Sequence, residues 1–262
     1  MARENLAMEA RTVQPRGHRG MAMEGIVARR YAKLRRTESQ AAERQRQAAR
    51  LTAALPDHAE ILEVAPGPGD FAVELARRGK FRVTGLDLSR TFVGIARENA
   101  ATSGVVVDFQ EGDVAAMPFE EGSFDLVVCQ AAFKNFSRPL NAIAEMYRVL
   151  RPGGTAVIQD LRADASDAAI RHEVESMRLG RLGASVTRWI LGRLRRRAYT
   201  REQFELLAEA SDFGACDATT SEVGVEIRLT KRANPVYHRH GLGRFRETSA
   251  PAERWTAAAV AS

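Results

Sequence analysis

A glycine-rich turn and an acidic residue downstream of it are the first positions that suggest chemistry. Gly67 and Gly69 lie in the segment Ala65–Gly69, between a short apolar run and a helical stretch. Glycine lets the backbone approach a ligand closely, and the first N–H groups of the following helix point to the same place. Asp87 follows Gly67 by 20 residues and ends a second apolar run. A carboxylate there can accept hydrogen bonds from both ribose hydroxyls of an adenine nucleoside.

Two classes of cofactor use this arrangement. A dinucleotide enzyme would place its pyrophosphate on the helix N-terminus, with residues 67–72 as a variant of the glycine fingerprint. Asp70 opposes that interpretation, because a carboxylate in the first turn repels a pyrophosphate. S-adenosylmethionine contains adenosine, a sulfonium and an amino-acid end but no phosphate, so it fits better. An NAD-dependent oxidoreductase stays open as an alternative, and Asp87 has a purely structural alternative near the helix N-cap beside Ser89.

The elements that must position these residues follow a regular order. Apolar runs of strand length alternate with helical stretches, which predicts a parallel sheet with crossover helices. Runs that are apolar on both faces, such as residues 126–128, suit strands that are covered on both sides. The predicted strands are 61–64, 81–86, 105–109, 124–129 and 155–159, and the predicted helices between them are 71–78, 89–101 and 139–150.

The segments outside this alternation predict a main domain with appendages. We expect a loose arm and two helical pieces in residues 1–57, a main domain over 58–232, and a weakly ordered tail over 233–262. Within the main domain we expect a helical insertion over 164–197, a helix over 200–211 with Thr200 and Gln203 in capping-box spacing, and closing strands over 216–220 and 224–230.

Composition narrows the class of protein. The 262 residues are 45% hydrophobic and 27% charged, with a net charge of +6, which is typical of a globular protein. Cys129 and Cys216 do not form a CxxC pair, so we expect neither a disulfide framework nor a metal site. The sequence has no apolar run of the ~20 residues that span a bilayer and no apolar signal core. These features predict a cytoplasmic protein.

With these motifs in order, the chain resembles the class I S-adenosylmethionine-dependent methyltransferases, in particular the small-molecule group with the ubiquinone/menaquinone-type enzymes. The resemblance covers about residues 58–160. It rests on five motifs. These are an acidic-x-Gly-x-Gly-x-Gly-like loop at 63–69, a ribose-binding strand end at 83–89, an adenine-binding segment at 111–119, a fourth strand at 124–128 and a turn into the fifth strand at 150–154. One departure is Ala65, which stands where the family has its first glycine, and Pro66 and Pro68 lack N–H donors.

The resemblance implies an α/β, Rossmann-like fold with a seven-stranded, mostly parallel sheet, helices on both faces and an antiparallel C-terminal strand. It implies methyl transfer from S-adenosylmethionine to a small-molecule acceptor, with S-adenosylhomocysteine as product. The implied cofactor contacts are Tyr31, Glu63, Ala65, Gly67, Gly69, Asp87, Leu88, Asp113, Val114, Gln130 and Ala131. Glu63 would hold the ammonium group and Asp113 the adenine amino group. The alternatives are a turn cap for Asp113, a surface ion pair for Glu63 and an ordinary helix tyrosine for Tyr31.

The acceptor is expected beyond the carboxyl ends of the strands, beside the loop after Cys129 and the insertion. The implied acceptor contacts are Phe133, Lys134, Asn135, Arg178, Arg181 and Arg197. The catalytic candidates are Tyr31, His172 and Glu173. His172 and Glu173 are candidate bases, while Tyr31, Phe133 and Phe136 are aromatic candidates for stabilising a cation. The loop lacks the polar-Pro-Pro-aromatic sequence of enzymes that methylate base amino groups, which disfavours methylation of adenine or cytosine amino groups. A methyltransferase that acts on RNA or another nucleic acid through the Arg-rich helix stays open as an alternative. A buried structural thiol is expected for Cys129.

The insertion contains eight arginines and no acidic residue between Ser176 and Arg201: 178, 181, 188, 193, 195, 196, 197 and 201. Leu182, Val186, Ile190 and Leu194 accompany them at helical spacing. Three interpretations stay open: a lid with an apolar inner side, an anion clamp for an acceptor such as a prenyl diphosphate, and contact with a membrane surface or RNA. A scaffold that binds the cofactor without catalysis is a further hypothesis. The oligomeric state is left open.

Overall fold

A computed structural model of the chain describes residues 23–34, 38–177 and 180–233. The expected arm before residue 23, the acceptor candidate Arg178 and nearly all of the expected tail lie outside these ranges. The two N-terminal helical pieces are observed as α1 (Gly25–Leu34) and α2 (Glu38–Thr52).

The strands of the described ranges form one seven-stranded sheet in the order β3-β2-β1-β4-β5-β7-β6. Strands β1 to β5 run parallel, whereas β7 is antiparallel to both β5 and β6. This arrangement confirms the expected fold class. The strands are β1 Glu60–Val64, β2 Arg82–Asp87, β3 Asp108–Glu111, β4 Phe124–Gln130, β5 Leu150–Leu161, β6 Asp217–Thr220 and β7 Gly224–Thr230.

Helices cover both faces of the sheet. The remaining described helices are α3 Asp70–Arg77, α4 Arg90–Thr102, α5 Pro139–Val149, α6 Asp167–Ser176, α7 Arg181–Arg195 and α8 Arg201–Glu209, with a 3-10 turn at Phe133–Asn135. Buried side chains of α2, α3 and α4 pack in one core cluster, and those of α5 and α8 pack in another. The two clusters share the strands between them, so β1 and β4 are buried on both faces.

The register of the parallel strands brings the expected site residues to one edge. Val64 of β1 is level with Leu86 of β2 and with Cys129 of β4. Gln130 at the end of β4 is level with Gln159 of β5. Ligand crevices of open parallel sheets lie at this carboxyl edge, which is where the glycine turn leaves β1.

The third strand begins later than the sequence predicts. The β-branched run at residues 105–107 favours a strand, but pairing with β2 begins only at Asp108. Val105 instead closes the end of α4 with an N–H bond to Ala100, and Val106 is 93% exposed. The run therefore connects a helix to an edge strand, a tertiary role that local propensity does not reveal.

The insertion consists of two helices with a different inward face from the one expected. On α7, Thr187 and Leu191 are buried, and Ala184 and Leu194 pack beside them. Leu182 and Val186 were expected on the inner apolar side but are 85% and 57% exposed. Both sides of the helix carry apolar residues, so helical spacing alone does not identify which side is buried.

Helix α8 begins as its sequence predicts. The Thr200 hydroxyl accepts from the Gln203 N–H, and the Gln203 side chain accepts from the Thr200 N–H, which forms a complete capping box. These two bonds satisfy donors that a helix N-terminus otherwise leaves without partners.

Candidate active site

Asp87 joins the glycine turn to the end of β2. Its Oδ2 accepts from the Gly67 N–H at 2.9 Å, and its Oδ1 accepts from the Ser89 N–H at 2.8 Å. A carboxylate oxygen has two lone pairs, so each of these oxygens retains capacity for another donor. The structure thus shows that Asp87 fixes the local backbone, while its contact with ribose hydroxyls stays a prediction.

Burial controls the protonation of this carboxylate. The pKa of Asp87 is raised from 3.8 to about 6 by all contributions together. Desolvation by burial is the largest and raises the pKa, the N–H donors of Ser89 and Gly67 lower it, and the charge of Glu24 raises it. Burial disfavours the charged form and donated hydrogen bonds favour it, and burial has the larger effect here. Hydroxyl donors from a ligand would stabilise the same charged form.

The two glycines of the turn have different surroundings. A Cβ on Gly69 would lie 2.7 Å from the Phe109 ring and 2.8 Å from the Ala96 Cβ, so Gly69 is required by packing. A Cβ on Gly67 would meet no atom within 4 Å, so the backbone there borders open space. Both residues have positive φ angles, 56° and 77°. Gly67 is therefore the position where the turn can approach a ligand.

Ala65 adopts a backbone conformation that favours glycine. Its φ is 53°, and its N–H donates to the Leu86 carbonyl at 2.8 Å. The left-handed region costs an L residue about 1–2 kcal/mol. The alanine therefore keeps the loop geometry of the family motif while it retains strain that a glycine would not have.

The expected adenine contacts lie beyond the ends of β2 and β3. Leu88 is 46% exposed directly after Asp87, which leaves an apolar side chain available to a base. Asp113 accepts from the Ala115 N–H at 2.8 Å, so it does cap the following turn. Its other oxygen pairs with Arg138 at 2.7 Å on the surface. Val114 packs against the core beside it.

The expected methionine end contains a buried chain of polar groups. Glu63 is buried in β1, level with Val128 of β4. The Gln130 amide donates to the side-chain oxygens of Gln47 and Gln159, both at 2.8 Å. These contacts tie α2 to the carboxyl ends of β4 and β5.

The chain of polar groups continues to β7. The Gln159 amide donates to Glu226 at 2.6 Å, and Arg50 of α2 binds the same carboxylate through two bonds of 2.9 and 2.5 Å. Burial alone would raise the pKa of Glu226, but its bonds to Arg50 and Gln159 lower it overall. Sequence reasoning missed Gln47, Gln159, Arg50 and Glu226, because single polar residues on separate elements show no local motif.

Lys134 and Phe133 are buried after β4. The Lys134 ammonium pairs with Asp160 at 2.8 Å, and both side chains are almost fully buried. The Lys134 ammonium also donates to the Ala131 carbonyl, and the Lys134 N–H donates to Asp160 at 3.0 Å. The Phe133 ring packs against Tyr199 and Phe204. These contacts favour a structural role for both residues, and their contact with an acceptor stays a prediction.

Helix α1 packs next to the ribose-binding position. Glu24 accepts from the Thr91 N–H and hydroxyl, and the Ser89 hydroxyl donates to the Met23 carbonyl at 2.7 Å. Ala28 of α1 packs with Phe92 of α4. The backbone of Tyr31 therefore belongs to a helix that is anchored two to four residues beyond Asp87, while its side chain lies outside the described part of the structure.

The remaining candidates lie on the insertion. His172 is exposed and bonds to Glu222 at 2.9 Å, whereas Glu173 is half-buried. Arg181 is exposed at the start of α7, and Arg197 is half-buried after its end. Burial raises the pKa of the Cys129 thiol far above its ordinary value, which supports a structural thiol. Asn135 is half-buried in the 3-10 turn.

The donor set fits S-adenosylmethionine better than a phosphate-bearing cofactor. Open space borders Gly67, a carboxylate stands beside it at Asp87, and Leu88 is exposed to receive a base. Asp70 occupies the first position of α3, where a pyrophosphate would meet a negative charge. Among the described residues, no group of three or more His, Cys, Asp or Glu is placed to bind a metal ion.

Known proteins share the fold of this chain and part of its sequence. Residues 62–158 match a family model described as a methyltransferase domain. A methyltransferase structure from Aquifex aeolicus, described as dependent on S-adenosylmethionine, aligns with a TM-score of 0.59 at 15% identity, over 79% of this chain and all of that one. At that identity the alignment shows the fold. The chain therefore has the fold of that structure, and its residues 62–158 are similar to a methyltransferase domain.

Part of the chain is also similar to enzymes whose names refer to menaquinone or ubiquinone. A demethylmenaquinone methyltransferase from Deinococcus radiodurans is 36% identical over 155 residues, which are 58% of this chain and 64% of that relative. A ubiquinone/menaquinone biosynthesis C-methyltransferase from Roseobacter denitrificans is 36% identical over 102 residues, 38% of this chain and 41% of that relative. The chain thus spans less than two thirds of the length of these curated relatives.

Proposed function

We propose that this protein transfers the methyl group of S-adenosylmethionine to a ring carbon of a quinone-type small molecule. The observation that carries the methyl-transfer part is the pairing of Asp87 with the open glycine turn at Gly67. The acceptor class is supported by the names of the similar enzymes, a demethylmenaquinone methyltransferase and a C-methyltransferase of ubiquinone/menaquinone biosynthesis.

In this proposal, each residue at the carboxyl edge binds a different part of the cofactor. Asp87 accepts the ribose hydroxyls, Leu88 contacts the adenine ring, and Asp113 accepts from its amino group. Glu63 holds the ammonium end, and Gln130 and Ala131 line the methionine end. Ala131 has a φ of 56°, and its N–H donates to Gln159 at 2.7 Å, so its backbone is held firmly at the end of β4.

The protein contributes alignment and exclusion of water to the reaction. S-adenosylmethionine supplies, when bound, a methyl group on a positively charged sulfur. The hydrogen-bonded side chains from Gln130 through Gln159 to Glu226 hold this edge of the sheet in one geometry. A fixed alignment of the reacting groups lowers the barrier to an in-line displacement. The insertion packs against Ala131 and covers this side of the edge. In this step the bond from the ring carbon to the methyl group would form as the methyl–sulfur bond breaks, S-adenosylhomocysteine would leave, and the ring carbon would release its proton to water. The exposed His172 is not proposed as the base.

Other acceptors and activities receive less support. The relatives' names contain no diphosphate, and Arg181 is exposed on α7. We therefore do not propose a prenyl diphosphate acceptor. The carboxylate in the first turn of α3 disfavours the NAD-dependent alternative, and no observation favours RNA as the acceptor.

Methyl transfer is tested by incubating the protein with methyl-labelled S-adenosylmethionine and a demethylated naphthoquinone, either reduced or oxidised. We expect label on a ring carbon of the reduced acceptor, because an electron-rich ring attacks the methyl group. Asp87→Ala should lose most of the activity, whereas Asp108→Ala, an exposed acid on β3, should keep it.

Two results would contradict the proposal at different levels. S-adenosylhomocysteine binding without label in any quinol would reject the acceptor class and retain the cofactor site. No binding of S-adenosylhomocysteine, or binding that Asp87→Ala leaves unchanged, would reject the site itself.

A further inference from the structure

The outer side of α7 carries an apolar row with no cover from the described residues. Leu182, Val186 and Trp189 are 85%, 57% and 65% exposed. Their spacings of four and three residues place them on one side of the helix. The opposite side is buried through Thr187 and Leu191 against α6 and the end of β5. The helix is therefore anchored to the protein by its inner side, and the described residues leave the outer row exposed.

Positive charge surrounds this row. Arg193 continues it by a further helical turn, and its guanidinium lies 5.8 Å from the centre of the Trp189 ring. Arg181, Arg188 and Arg196 are exposed on the same helix. The sequence between residues 177 and 201 contains no acidic residue. Arg195 forms an ion pair with Asp167 of α6 at 2.8 Å.

We propose that α7 docks this protein on an anionic membrane surface, with Leu182, Val186 and Trp189 in the headgroup region and the arginines on lipid phosphates. A helix that lies in the interface has an apolar side, basic flanks and often a tryptophan. Among the residues that the structure describes, no helix has the length and apolar character to cross a bilayer. The outer row runs along α7, so contact through this row lays the helix parallel to the surface.

Two other occupants fit the row less well. A nucleic acid would use the arginines, but it would leave Leu182 and Val186 against a polar phosphate backbone. A second copy of this chain in a two-fold dimer would face arginines with the same arginines, and like charges repel. An anionic bilayer satisfies the apolar row and the charge together.

Docking at this place brings the membrane next to the acceptor side of the site. Helices α6 and α7 share their buried cluster with Ala131, which follows β4 at the carboxyl edge. An acceptor dissolved in lipid would then reach the site without crossing bulk water. The docking proposal goes beyond the proposed function, and it stands even if the acceptor class is wrong, because it rests on the outer side of α7 alone.

Vesicle sedimentation of the full chain tests the proposal. Vesicles contain phosphatidylcholine alone, or phosphatidylglycerol and phosphatidylcholine in about a one-to-three ratio. We expect binding to the mixed vesicles, a decrease as salt rises, and a loss of at least about tenfold in partitioning for Trp189→Ser/Arg193→Gln. The matched control, Val106→Ser/Arg78→Gln, removes one exposed apolar and one exposed basic side chain far from α7 and should bind like the wild type.

Tryptophan fluorescence provides an independent measurement. The chain has two tryptophans, and Trp255→Phe leaves Trp189 as the sole one. Its emission should shift to shorter wavelength with mixed vesicles and stay unchanged with neutral ones or with RNA. The proposal is overturned if the wild type does not sediment with anionic vesicles, if the Trp189→Ser/Arg193→Gln variant binds equally, or if the shift appears on dimerisation without lipid.

Discussion

At the residue scale, the site depends on a carboxylate on which burial and hydrogen bonds act in opposite directions. Burial raises the pKa of Asp87 to about 6 despite the N–H groups of Gly67 and Ser89. Ribose hydroxyls donate to the charged form, so a bound ligand lowers this pKa again. Protonation of Asp87 therefore competes with the ligand as the pH falls.

The affinity for S-adenosylhomocysteine should accordingly fall by up to about tenfold per pH unit below pH 6, and it should be nearly constant above pH 7. Asp87→Asn should weaken binding at pH 7.5 by about tenfold or more and remove this pH dependence, because the amide does not titrate. Isothermal titration calorimetry measures both. An Asp87→Asn variant with the wild-type pH profile would show that another group is responsible.

Ala65 gives a second prediction at the residue scale. Its φ of 53° lies in the left-handed region. Ala65→Gly should keep or raise the free energy of unfolding, by up to about 1 kcal/mol, because relief of strain exceeds the added chain entropy. Ala72→Gly, a buried helical position in α3, should instead lower it by about 1 kcal/mol. Urea denaturation compares the two, and a loss of stability in Ala65→Gly would contradict the strain assigned here.

At the element scale, most helices and strands could be predicted from sequence because their signals are local. The capping box of Thr200 and the apolar runs of β1 and β4 are examples. Contacts between distant elements could not be predicted. The Lys134–Asp160 pair joins the turn after β4 to β5 across 26 residues, and neither residue has a motif. The buried side of α7 could not be predicted for a related reason. This helix has apolar residues on two sides, and both sides fit the same helical periodicity.

The buried pair allows a test of its structural role. Lys134→Met should lower the free energy of unfolding by about 3–5 kcal/mol, because Asp160 is left charged and buried. Lys134→Met/Asp160→Asn should recover part of the loss. Arg82→Met breaks an exposed pair with Glu60 and should cost less than about 1 kcal/mol. Equal stability losses for Lys134→Met and Arg82→Met in urea denaturation would contradict the role of the pair.

At the scale of the whole molecule, the sequence predicted the sheet and its antiparallel end, and the strand register places the expected site residues at one edge. The order of motifs was sufficient because strand ends and turns of this fold recur at fixed places. The sequence did not reveal how α1 and α2 attach to that edge. Glu24 bonds to Thr91, and Arg50 bonds to Glu226 over 176 residues. Such pairings are formed by the tertiary fold and leave no periodic pattern.

The most direct test of the central claim is a crystal structure of the full chain with S-adenosylhomocysteine. We predict ribose hydroxyls on the Asp87 carboxylate, the ligand against Gly67, and adenine between Leu88 and Asp113. The methionine end should lie beside Glu63 and Ala131. A ligand bound elsewhere, or one at this edge whose ribose does not touch Asp87, would contradict the assignment of this edge as the methyl-transfer site.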